Sequence, residues 1–344
     1  MDLPLTDSGS SSIKKEKWEE RMLMRRRTFM LSLVAVAATR GASAAVWPER
    51  ASTFVVPFPA GGSTDVVARL FAERFAERLR QGFVVENRPG ANGNIAAAAV
   101  AKAEPDGYTI LVSGNGQNAM NHSLYARMPY DSTKDFEHIC LLALTPNVII
   151  VPANSPIRTL EELIAGARRS GGDLSFASPG TGSSGHLSLA MLEGAAKIKA
   201  RHVPYRGAAP LVTDVLGGHV SVGIVNADIP LPHIQGGKIR ALALTSSSRT
   251  PLYPDVPTVA ESGFPGFEAQ GWFGLSAPAK TPRSIVETLN KLANEVLKED
   301  KIKQRFAAGG YVAGGGSPED YAQFIGREIT KWAAVVKENG ISIE

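Results

Sequence analysis

The chain has 344 residues, 44% of them hydrophobic, with a formal charge of +4 and one cysteine. Its first 44 residues hold eight of the 37 basic and five of the 33 acidic side chains, so the remaining 300 carry 29 basic and 28 acidic. A nearly neutral body with no basic stripe excludes an electrostatic case for nucleic acid. A single cysteine excludes an internal disulfide, and 300 residues are enough for two domains with separate cores.

The chain order begins with Arg25-Arg26-Arg27-Thr28-Phe29-Met30-Leu31, an apolar run to Ala38, and Ala42-Ser43-Ala44. This pattern predicts an export signal over 1–44, cleaved near Ala45, and hence a periplasmic protein. Its apolar core is about ten residues, half of the roughly twenty that cross a bilayer. The arginines fit a twin-arginine leader and a general secretory leader alike. Residues 1–23 are polar, which leaves Met1 and Met24 both open as the start, and no cysteine follows the leader to accept a lipid.

Short β-branched runs then alternate with amphipathic stretches. The runs predict strands at 53–56, 83–86, 109–113, 139–143, 148–151, 174–177, 200–203, 220–225 and 241–244. Helices are predicted at 64–79, with Val67, Leu70, Phe71, Phe75 and Leu79 on one face, and at 160–169. Such alternation gives an α/β fold of mostly parallel sheets flanked by helices. Punctuation at Thr145-Pro146-Asn147 and along 251–271 suggests a first domain of 45–146 plus 266–344, with a second domain, 147–265, inserted. The apolar stripe Tyr321, Phe324, Ile325, Ile329, Trp332, Val335 and Val336 reads as core.

Three strand-to-helix junctions carry the candidate chemistry. In TFVVPFPAGGSTD (53–65) a strand breaks at two prolines, passes Ala60-Gly61-Gly62 and enters a helix at Ser63-Thr64-Asp65. Adjacent glycines let backbone approach a ligand, and the helix N-terminus offers unpaired N–H groups, a setting for a small anion. The second junction follows 174–177 and places Thr181, Ser183, Ser184 and His186 at a helix mouth. Gly180-Thr181-Gly182-Ser183-Ser184-Gly185 matches G-x-G-x-x-G, but the next strand leads into Arg201-His202-Val203-Pro204-Tyr205 with no ribose-binding acid, which argues against a dinucleotide enzyme. Neither serine sits in G-x-S-x-G, which argues against a hydrolase. The third junction, Arg206-Gly207-Ala208-Ala209-Pro210, puts small residues before a helix, and Arg206 there reads either as a partner for a ligand carboxylate or as a solvated side chain. Asp228 follows a strand end and reads either as a ligand residue or as a helix cap. The six histidines lack metal-ligand spacing, and Cys140 lies in an apolar run, so neither a metal nor a cofactor is expected.

These segments resemble the solute receptors of tripartite tricarboxylate transporters, the Bug family, over essentially the whole mature chain. The resemblance rests on PFPAGGSTD (57–65), VENRPGANGNIAAAAVAKAEPDGYTIL (85–111), YARMPYDSTKDF (125–136), HVPYRGAAPLVTDVLGGHV (202–220), GGKIRALALTSSSRT (236–250) and YPDVPTVAESGFPGFEAQGWFGLSAPAKTP (253–282). It implies a monomeric, non-catalytic, two-domain flytrap that closes on a small carboxylate, an amino acid or a related solute, for uptake through membrane subunits of such a transporter or as an orphan receptor. It maps ligand contacts onto Phe58, Ala60, Gly61, Gly62 and Ser63, partly through ordered waters, and onto Ser178, Thr181, Ser183, Ser184, His186, Ala208 and Ala209. Asp65, Gly207 and Asp228 complete the candidate set. Two positions depart from the family pattern: Asn92 stands where a glycine is usual and His122 where proline is common. Neither falls in the loops assigned to the ligand.

Overall fold

The computed structural model describes residues 47–341, so the leader, its cleavage site and the alternative start at Met24 lie outside the described residues. The chain divides into Met1–Glu49 and a compact unit, Arg50–Glu344, to which every element named below belongs. Strands β1 (Ser52–Val56), β2 (Phe83–Asn87) and β3 (Thr109–Gly114) pair in parallel, with β1 in the middle. Helix α1 (Ser63–Leu79) crosses from β1 to β2 and α2 (Asn94–Ala101) from β2 to β3. Val67, Phe71 and Phe75 of α1 are buried as their spacing predicts, and the Phe75 ring meets Phe54 and Phe83 edge-on at 5.6 and 5.4 Å. Each such aromatic pair adds about 0.5–1.5 kcal/mol beyond area burial.

The two strands expected on either side of Pro146 are one, β4 (Phe136–Pro152). Up to Pro146 it pairs antiparallel with β9 (Gln270–Pro278), and from Asn147 with β7 (Val222–Asn226). The missing proline N–H therefore falls where the ladder changes partner, a place where it interrupts no pairing. β8 (Ile239–Leu244) also pairs with the later part of β4, and β10 (Val312–Gly315) with the earlier part. The short α3 (Asn121–Leu124) precedes β4, and beyond β4 come α4 (Leu160–Arg169), β5 (Ser175–Ser178), α5 (Ser184–Ala196), β6 (Arg201–Pro204) and α6 (Ala208–Leu216). β5 pairs in parallel with both β6 and β7. The outer strands are thus parallel, as strand-helix alternation requires, whereas β4 runs antiparallel to all four of its partners.

After α7 (Leu231–Gln235), the C-terminal helices are α8 (Arg283–Leu297), α9 (Asp300–Gly309) and α10 (Pro318–Asn339). α10 starts at a capping box of Ser317 and Asp320 and buries Tyr321, Ile325, Trp332 and Val336. The core reading of that stripe holds. Cys140 is buried on β4, and burial pushes its thiol up to about 12, so it packs as a small hydrophobe. Among the described residues no helix is long and apolar enough to cross a membrane.

Candidate functional site

The carboxyl ends of β1, β3, β5, β6 and β7 converge on one cavity of about 80 Å³. Open α/β sheets place ligands in such a crevice. One wall is the β1–α1 loop, with Phe58, Pro59, Ala60 and Gly62, and the first residues of α1, Ser63 and Thr64. The loop turns because Pro57 and Pro59 break the strand and Gly61 takes φ +83°, a left-handed backbone that suits glycine. Gly62 then caps α1 without a side chain, leaving the first-turn N–H groups of the helix uncapped by any side chain.

Asp65 locks this loop from behind. Its carboxylate accepts hydrogen bonds from Gly61 N, Arg69 Nε and Asn87 Nδ2, each at 2.9 Å, and Asn87 Nδ2 also donates to Phe58 O at 2.9 Å. Burial works against the charge, but these donors prevail and hold the carboxyl below its usual range.

The opposite wall comes from Pro179, Ser183 and Ser184 at the mouth of α5, from Arg206 through Pro210 at the mouth of α6, and from Asn226 at the end of β7. Ser183 caps α5 by accepting from His186 N, whereas Gly207 caps α6 with no side chain. Asn92, the segment Gly114–Gly116, and Gly271, Trp272 and Phe273 of β9 close the cavity. Three helix N-termini therefore face it, each stabilising an anion by about 0.3–1 kcal/mol, and more where solvent is excluded. Among the described residues Arg206 is the single charged side chain in the wall, and no carboxylate lines it. The Nδ2 of Asn226 is buried and has no hydrogen-bond partner among the described residues. An unsatisfied buried donor costs about 1–3 kcal/mol, which an acceptor oxygen in the cavity would recover.

Nine of the sequence-derived candidates share this wall: Phe58, Ala60, Gly62, Ser63, Ser183, Ser184, Gly207, Ala208 and Ala209. Six do not line it. Gly61 is exposed and its N–H is taken by Asp65, so both residues shape the loop instead of facing the cavity. Ser178 is buried beneath, its Oγ 2.6 Å from His202 Nε2. Thr181 lies in the loop above, half-buried. His186 turns away to stack on His202 at 3.9 Å, and its Nδ1 accepts from Gly182 N. Burial pushes these two imidazoles down to about 4 and about 3, the second also through its neighbour. Asp228 accepts from Ser63 Oγ at 2.7 Å and Tyr311 Oη at 2.5 Å. Burial raises its pKa against the pull of those hydroxyls.

Sequence reasoning passed over Asn226, two residues before Asp228. The last residue of a strand faces the crevice, while the next turn swings Asp228 toward Tyr311. It also set Asn92 aside, and that residue is in the wall. β9 was missed because the Pro/Gly-rich segment 251–271, which reads as a domain boundary, runs into its first two residues. Among the described residues no group of three or more His, Cys, Asp or Glu is placed to hold a metal ion.

The fold and this crevice define a periplasmic-binding-protein architecture. Residues 67–341 match the tripartite tricarboxylate transporter family receptor, and the chain belongs to that family of solute-binding receptors. Among its relatives it is 40% identical to a protein of the tcbD-tcbE intergenic region of Pseudomonas sp. strain P51, over 91% of this chain and 94% of that one. It is 37% identical to protein BugT of Bordetella pertussis, over 92% of this chain and 99% of that one. Among solved structures, Rpa4515 of Rhodopseudomonas palustris with adipate is similar at 38% identity and a TM-score of 0.84, over 86% of this chain and all of that one. MatC of the same species, with bound malate, is similar at 33% identity and a TM-score of 0.80, over 84% of this chain and all of that one.

Proposed function

We propose that this receptor captures a small carboxylate without an ammonium group, such as a short dicarboxylate, and delivers it to the membrane subunits of a transporter. The observation that carries the reading is the wall itself: three helix N-termini, one guanidinium and no acid. A carboxylate gains there from N–H donors and Arg206, whereas an amino-acid ammonium would be buried with no counter-ion, a cost of several kcal/mol. The relatives solved with adipate and with malate support the same class.

In this reading the lobes are 45–146 plus 266–344 and 147–265, and they move about the point where β4 exchanges β9 for β7. The leader 1–44 directs export to the periplasm, where the mature protein works as a monomer and performs no catalysis. A thermal-shift screen of dicarboxylates, monocarboxylates and amino acids provides the test. At 1 mM, a ligand of 1 μM affinity stabilises by about 4 kcal/mol, a rise of several degrees. Stabilisation by amino acids and not by their deaminated acids would refute the reading, and so would an absence of any carboxylate response.

A further inference from the structure

The Asn92 side chain joins segments that lie on opposite sides of the crevice. Its backbone takes φ +48° and ψ +38°, left-handed values that asparagine tolerates and glycine prefers. The carbonyl of Asn92 accepts from Gln117 Nε2 at 2.7 Å and from Asn121 Nδ2 at 3.2 Å, which fixes the turn on the segment after β3. Its own amide Nδ2 then donates to Asn121 Oδ1 at 2.7 Å and to Gly182 O, in the β5–α5 loop, at 2.8 Å. Gly182 is itself held to α5 through its N–H to His186 Nδ1. The fit around the amide is close. A Cβ on Gly182 would stand 2.4 Å from Asn92 Nδ2, and one on Gly116 would stand 2.9 Å from it. Two glycines thus leave room for one amide, and Asn92 is part of the cavity wall.

We propose that Asn92 is a specificity-setting strut of this receptor, bridging the crevice before a ligand enters and limiting the length of ligand that the cavity accepts. The length limit rests on the carboxylate reading above, and the bridge does not. Removing the amide leaves a space beside the cavity on the order of one or two waters, into which a longer ligand chain can extend. Asn92→Gly is the informative variant, because glycine suits the left-handed backbone and the fold is retained.

The experiment titrates wild type and Asn92→Gly calorimetrically with straight-chain α,ω-dicarboxylates of four to eight carbons. The optimum length is expected to move up by at least one methylene in the variant, with the longest acids gaining about fourfold for each methylene newly buried. Small-angle X-ray scattering of both proteins without ligand is expected to show a larger radius of gyration for the variant, since the Gly182 bond is gone. An unchanged length profile with binding intact overturns the length limit. If no dicarboxylate binds wild type, the carboxylate reading falls, and scattering alone judges the bridge: equal radii overturn it.

Discussion

Asp65→Asn tests whether the β1–α1 loop is held in place from behind. In wild type, Oδ2 accepts from Gly61 N and Arg69 Nε, and Oδ1 accepts from Asn87 Nδ2. An amide offers one acceptor oxygen, so whichever way it turns, at least one donor faces an NH2 group. The Asp65 side chain is 4% exposed, so that unpaired donor costs about 1–3 kcal/mol. The lost charge on the Arg69 bond adds only about 0.2–1 kcal/mol, because the Arg69 side chain is 53% exposed and water screens it. Together these give a loss of about 1–4 kcal/mol at pH 7, measured by urea denaturation. The folded carboxyl lies below its ordinary value of 3.8, so its contribution is full above that value and is lost as pH falls through the lower folded pKa. The gap between wild type and variant therefore narrows below about pH 4. Equal midpoints at pH 7, or a gap that widens in acid, would refute the account.

Arg206→Gln, which removes the one charge of the wall, is expected to weaken carboxylate binding by about tenfold in calorimetry and to flatten its dependence on salt. Gly61→Ala is expected to cost about 1 kcal/mol in denaturation through strain at φ +83° and to leave affinity unchanged, since a Cβ there meets nothing within 4 Å. His186 and His202 titrate in the folded protein near 4 and 3, whereas in the unfolded chain they do so near 6.5. Stability is thus fully present above pH 6.5 and falls as the pH drops toward 4, and His202→Gln is expected to make that decline shallower in a series of urea melts.

The parallel units were legible because their signals are local. A β-branched run that ends at Pro-x-Pro-Ala-Gly-Gly marks a strand end and a helix start within a dozen residues, and 160–169 matches α4 to the residue. Three helix mouths were found in this way, and each contributes to the wall. β4 was less legible because Pro146 is a local break signal that the tertiary pairing overrides: its missing donor matters only if a partner needs it there, and that depends on β7 and β9, more than 70 residues away in sequence.

Within the site, the sequence revealed which groups could bind an anion but not which were already occupied. The N–H of Gly61 and the carboxylate of Asp65 satisfy each other, and Asp228 is engaged by Ser63 from the start of α1 and by Tyr311 from the segment before β10. Neither pairing has a signature in sequence spacing, since Ser63 and Asp228 are 165 residues apart. The consequence reaches ligand choice. An acid that its own neighbours have taken up offers a bound ammonium little, so the charge balance of the cavity is set by Arg206 and the helix dipoles, and the same Ser63 hydroxyl that lines the wall spends its proton on Asp228. Ser63 therefore presents lone pairs, not a donor, to whatever enters. The donors left for a carboxylate include the guanidinium of Arg206, the backbone N–H groups of α1 and α6 and the unpartnered Nδ2 of Asn226.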